Sequence, residues 1–197
     1  MKVFVEGGGD TADLKAELRK GFKEFLEKAG LEGRMPRIVA CGSRQDAYES
    51  FCTALENGET ALLLVDSEVP VTTPNPWHHL QDADGWNLPA GATNDHCHLM
   101  VQCMEAWFLA DRNALSTFFG QGFTLNALPP LGNPLEQIPK VDVYRALATA
   151  TQSCKTKAAY GKGAHSFKLL ARIDPNAVTA ASPWAKRFID ELDKQTR

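Results

Sequence analysis

No stretch of this chain approaches the ~18–20 consecutive apolar residues that a membrane-spanning helix requires. Its five cysteines are odd in number and include no CxxC pair. The two tight ligand pairs of a structural zinc site are therefore missing. The opening MKVFVEGGGD lacks the apolar core of a signal peptide and reads as a strand. These absences together lead us to expect a cytoplasmic location with free thiols. Basic charge is not in excess: 21 Lys and Arg stand against 24 Asp and Glu, for a formal charge of −3. That excludes a general basic coat for nucleic acid but permits a local patch. Internal repeats and low-complexity tracts are missing as well. What remains is an ordinary globular composition, 44% hydrophobic and 23% charged, over 197 residues, a length that suits one domain.

Residues 2–5 form a short β-rich run that closes on Gly7-Gly8-Gly9. Asp10 stands where an N-cap belongs, and Leu14, Leu18, Phe22, Phe25, Leu26 and Ala29 follow at helical spacing, with Gly30 as a stop. RIVAC, residues 37–41, is a second strand. Ser43 caps a second helix with Ala47, Phe51 and Leu55 on one stripe. The apolar run ALLLV, residues 61–65, suits a strand buried on both faces. The order βαβαβ favours a parallel sheet with right-handed crossovers. Residues 70–92, rich in Pro, Asn, Asp, Gly and Trp, read as one long loop. HCHLMVQC, residues 96–103, is a fourth strand, and the remainder is mainly helical. The expected organisation is one α/β domain, a short parallel sheet flanked by helices. Residues 1–111 carry a βαβαβ-β core with a long loop over 67–95, and 112–197 a helical extension packed on it.

Ligands of parallel sheets gather beyond the carboxyl ends of the strands. Glu6 follows the first strand and Asp66 the third, so both belong to one edge. Glu68, two residues on, points the same way if the chain stays extended. Three close carboxylates need a compensating cation, and Mg²⁺ (or Mn²⁺) takes such hard oxygen ligands. The plainer alternative makes Glu6 and Asp66 surface residues at strand ends. The glycine turn has its own alternative, a phosphate-binding loop opening a helix, but it lacks both the GxGxxG spacing and the GK[ST] ending.

VEGGGD after the first strand, LLLVDSE at the third, then MEAWFLAD and YGKGAHSFKLL resemble the TOPRIM-like family catalogued as domain of unknown function 4276. That family is similar to the TOPRIM nuclease domains of the OLD and RloB types. The resemblance spans most of the chain. It implies a glutamate after the first strand and a DxD after the third, holding Mg²⁺ for phosphodiester chemistry. Glu6 then takes the first role and Asp66 the first acid of DxD, while Glu68 replaces the second aspartate. The resemblance also implies nucleic acid, RNA or DNA, as substrate, and a place in phage defence beside an ATPase partner.

Glu105 in MEAWFLAD starts a helix, either as a further metal ligand or as a residue favoured there by the helix dipole. The basic segment 155–172 supplies Lys157 and Lys162 as candidates to neutralise phosphate charge. Lys155, Tyr160 and Lys168 are candidates to hold a nucleic-acid strand, and His165 is a candidate proton shuttle. Two function classes remain in competition. One is a metal-dependent nuclease using these residues. The other is a non-catalytic adaptor with a weakened acidic site, for which Trp77 and Trp86 in the 70–92 segment offer a contact surface.

Overall fold

The computed structural model describes all 197 residues. Four strands, β1 (Lys2–Glu6), β2 (Arg37–Gly42), β3 (Ala61–Asp66) and β4 (Cys97–Met100), form one parallel sheet in the order β2-β1-β3-β4. Helix α1 (Ala12–Leu26) joins β1 to β2, and α2 (Arg44–Glu56) joins β2 to β3. The chain first steps outward from β1 and then returns to its other side. The strand order therefore reverses between β1 and β3, which opens a crevice there.

Alternate strand residues part to the two faces, as the pleat requires. Val3, Val5, Leu62 and Leu64 join the larger core with α1 and the C-terminal helices. Phe4, Leu63 and Val65 join a smaller core with Ala47 and Phe51 of α2. The fully buried β3 confirms the reading of ALLLV as a strand covered on both faces. Ser43 caps α2 through a reciprocal capping box with Asp46. At α1 the cap is Thr11, whose hydroxyl accepts the Leu14 N–H, rather than Asp10.

The segment expected as a single loop over 67–95 contains a helix, α3 (Pro76–Asp84). Asn75 caps it, Pro76 opens it and Gly85 closes it in the left-handed conformation. Its apolar residues are too few for clear periodicity, so the turn-forming residues dominated the sequence signal. Trp77 and Trp86 are buried against Phe51 and Tyr48, with Trp86 stacked on Tyr48 at 4.6 Å. The expected aromatic contact surface is thus part of the core. Strand β4 is shorter than expected. A tight 3₁₀ segment, Met104–Ala110, follows it.

The C-terminal half is helical as expected: α4 (Arg112–Phe119), α5 (Lys140–Thr151), α6 (Ser166–Leu170), α7 (Pro175–Ala181) and α8 (Pro183–Thr196). Asp111 caps α4. Asp174 caps α7, which Pro175 opens. No helix is long and apolar enough to cross a membrane.

Candidate metal centre

Glu6 ends β1 and Asp66 ends β3, so the sheet delivers both carboxylates to the crevice between the two strands. Glu68 joins them through a bend. Its backbone has a φ of 65°, a left-handed conformation that costs a non-glycine residue free energy. One oxygen from each of Glu6, Asp66 and Glu68 lies within 4.8 Å of the others. The three acids expected to meet do meet, although Glu68 arrives by a turn and not by continued extension.

Each acid is fixed by specific contacts. Glu6 Oε2 accepts the Asp66 N–H at 3.1 Å, which locks the ends of β1 and β3 together. Asp66 Oδ1 accepts the Met104 N–H at 2.9 Å. Burial, then the Asp66 charge, push the Glu6 carboxyl up to about 7. Burial also raises Asp66, against the pull of Lys140. Repulsion and desolvation of this kind are what a bound cation would relieve.

Two cations that sequence reasoning passed over already do part of this work. Lys140 Nζ lies 3.1 Å from Asp66 Oδ2 and also pairs with Glu68. It is the first residue of α5, and its backbone N–H donates to the Gln102 side chain. Burial alone would lower its pKa, but Asp66 and Glu68 more than offset that and hold it above its ordinary value. Arg44, the first residue of α2, lies 3.4 Å from Glu6 Oε2, donates to the Asp66 carbonyl and pairs with Asp84. Neither could be found from spacing, because Arg44 arrives on the β2–β3 crossover and Lys140 on a helix beyond the last strand. Lys140→Met should leave Asp66 and Glu68 without their nearest counter-charge. We expect a loss of about 1–3 kcal/mol in the metal-free protein at pH 8, read by urea denaturation, and largely restored by Mg²⁺.

Glu105 does not join the cluster. It is 1% exposed, and both its oxygens are occupied. Tyr144 donates to Oε2 at 3.0 Å, while Tyr160 and Ser166 reach Oε1 at 3.2 and 3.1 Å. It is a buried anchor on the wall of the same cavity, outside the group of three acids, and together with burial its charge raises Asp66. Tyr160, expected to stack a base, is buried with its hydroxyl on this anchor.

The basic candidates divide. Lys162 lines the cavity beside the acids. Lys157 lies over the Phe118 ring at 4.7 Å, outside the cavity lining. Lys155 is exposed and uses its backbone N–H to hold Gln121. Lys168 pairs with Glu17 on α1 at 3.4 Å. His165 Nδ1 accepts the Gly161 N–H at 3.1 Å, and burial, with Lys168 and Lys157 nearby, lowers its pKa. It too stays off the cavity wall.

The cavity measures about 300 Å³. Its walls include Gly7, Gly8 and Gly9, all at positive φ. A Cβ on Gly8 would stand 3.0 Å from the Lys15 backbone, so the turn requires glycine there. No zinc cluster accompanies it. His98 is fully buried, with burial pushing its ring down to about 3 and Nε2 3.0 Å from the Asp95 carbonyl.

A family model, Domain of unknown function (DUF4276), matches residues 5–193. The chain belongs to that family. The matched span contains all three clustered acids together with Arg44, Lys140 and Lys162. Neither the curated proteins nor the solved structures gave a match.

The acids of this DUF4276 chain carry a pH dependence of their own. A carboxyl whose folded pKa lies above its unfolded value binds extra protons when folded. Its effect is therefore to lower stability as pH rises through that window. For Glu6 the window runs from 4.5 to about 7. The metal-free protein should lose about 1–3 kcal/mol between pH 5 and pH 8 on this account. Glu6→Gln should flatten the profile. Denaturation midpoints at the two pH values measure both, and a wild-type profile that rises across the window would contradict the burial argument.

Proposed function

We propose that this chain is a Mg²⁺- or Mn²⁺-dependent nuclease of TOPRIM type, acting on RNA or DNA phosphodiesters in the cytoplasm. The observation that carries the reading is the convergence of Glu6, Asp66 and Glu68 within 4.8 Å at the strand-order switch of a parallel sheet. An all-oxygen, all-anionic donor set fits a hard divalent ion. These three residues would hold it, and the bound ion would supply Lewis-acid neutralisation of phosphate charge.

The chain's own groups have distinct parts in this reading. Glu6 would serve as a ligand of that ion or as the general base that takes a proton from an attacking water. Lys162 at the cavity wall, its Nζ 5.6 Å from the Tyr144 ring, would offer a positive charge to a phosphate bound there. The likeness of VEGGGD and LLLVDSE to TOPRIM motifs supports the reaction class. A role in phage defence beside an ATPase partner belongs to the same reading and rests on that likeness alone.

One observation favours the alternative, a non-catalytic adaptor. Lys140 already pairs with Asp66 and Glu68, so a cation of the chain's own partly satisfies the acids. Labelled RNA and DNA incubated with Mg²⁺ or Mn²⁺, beside Glu6→Gln and Asp66→Asn, decide between the two. Metal-dependent cleavage that both substitutions remove supports the nuclease. Absence of cleavage on every substrate, with and without an ATPase partner, leaves the adaptor.

A further inference from the structure

The cavity beside the acids is larger and less polar than a phosphate needs. Leu14 of α1, Met100 at the end of β4, Met104 of the 3₁₀ segment and Phe167 of α6 share its lining with Glu6, Asp66 and Glu105. At about 300 Å³ it stands at the lower end of the range for small-molecule sites. One wall is the glycine turn, where the Gly8 and Gly9 N–H groups donate to no acceptor within the chain. The site thus combines an apolar, polarisable surface with anion-seeking groups: two free backbone donors and the Lys162 ammonium.

That combination matches one nucleotide unit, a flat base with apolar, polarisable faces joined to a phosphate. We propose that the cavity takes a single unpaired nucleotide, so that the substrate is single-stranded nucleic acid. The base lies against Leu14, Met100, Met104 and Phe167, with its phosphate toward Lys162 and the acids. A base in a stacked duplex cannot enter without first leaving its pair, which costs free energy that a single strand does not pay. Base identity is read weakly. Ser166 Oγ at the wall is already engaged by Glu105 and Tyr160, and thioether and phenyl surfaces accept any base face. The inference rests on the nuclease reading for its phosphate position but makes its own claim about the base.

Fluorescence anisotropy tests it with the full chain and Ca²⁺ in place of Mg²⁺. The probes are a labelled single-stranded 12-mer, its duplex and an abasic strand of equal charge, with a free nucleoside monophosphate as competitor. The single strand should bind at least about ten-fold tighter than the duplex or the abasic strand. Competition by the monophosphate would show that the nucleotide unit itself is the ligand. Leu14→Trp, which fills the cavity, should remove the advantage of the base-bearing strand and leave Mn²⁺ binding unchanged. Lys162→Ala should weaken base-bearing and abasic strands alike. Equal binding of duplex and single strand would overturn the proposal, as would equal binding of the abasic strand. An unaltered preference in a folded Leu14→Trp protein would do the same. Metal-dependent cleavage that ignores strandedness would leave the nuclease reading standing and this inference fallen. Base-dependent binding without metal binding would do the reverse.

Discussion

If the proposed nuclease activity is present, Asp66→Asn is expected to lower Mg²⁺-dependent cleavage by about 10³-fold or more, a loss equivalent to roughly 4 kcal/mol of transition-state stabilisation. Asp66 is the acid with the least freedom to be replaced. It is 4% exposed, its Oδ1 is oriented by the Met104 N–H, and its Oδ2 faces Lys140. The asparagine would keep the shape and one acceptor while removing the charge that a divalent ion requires. Glu68→Gln should cost less, about ten-fold, because that side chain is 40% exposed and reaches the cluster on a bend. Single-turnover cleavage with saturating Mg²⁺ measures both. Equal losses at the two positions would mean that the cluster does not act through Asp66 as its centre. Retained activity in Asp66→Asn would remove the acids from the chemistry altogether.

Glu105→Ala is expected to destabilise the protein by about 3–5 kcal/mol, the largest stability effect of any single site residue. The substitution strips three hydroxyls of their common acceptor. Tyr160 and Ser166 are buried, so water cannot replace the lost carboxylate freely. Ser166→Ala and Tyr160→Phe should each cost about 1–2 kcal/mol, because each removes one donor and leaves the carboxylate with others. The consequence reaches the site. Ser166 Oγ accepts the Gly163 N–H at 3.3 Å, and Gly163 adjoins Lys162 on the cavity wall. Loss of Glu105 should therefore loosen the basic turn and weaken phosphate binding, although Glu105 lies outside the group of three acids. Urea denaturation gives the first effect and anisotropy the second. A cost under about 1 kcal/mol would show that this network does not anchor the turn.

Strand and helix order were legible where periodicity was strong. Five apolar residues in a row marked β3, alternating elements marked the parallel sheet, and Ser43 marked the start of α2. Helix α3 escaped because a nine-residue helix flanked by Pro, Asn and Gly looks like the loop it interrupts. The two tryptophans in and beside it looked like a surface for the same reason, since nothing local says which side the core is on. Tyr160 and Lys157 were read from a charge run. Such a run reports composition and leaves open which side chain turns inward.

The sequence by itself determined the acidic edge. A carboxylate after a first and a third parallel strand must lie at one end of the sheet, because parallel strands share their direction. Only the tertiary structure decided what faces that edge. Lys140 and Arg44 come from helices far away in the chain, and long-range electrostatic pairs leave no periodic trace. The same holds for Glu105, whose place at the start of a helical segment reads alike for a ligand and an anchor. Its role follows from three hydroxyls that two other helices and a turn bring to it, and packing alone brings them there.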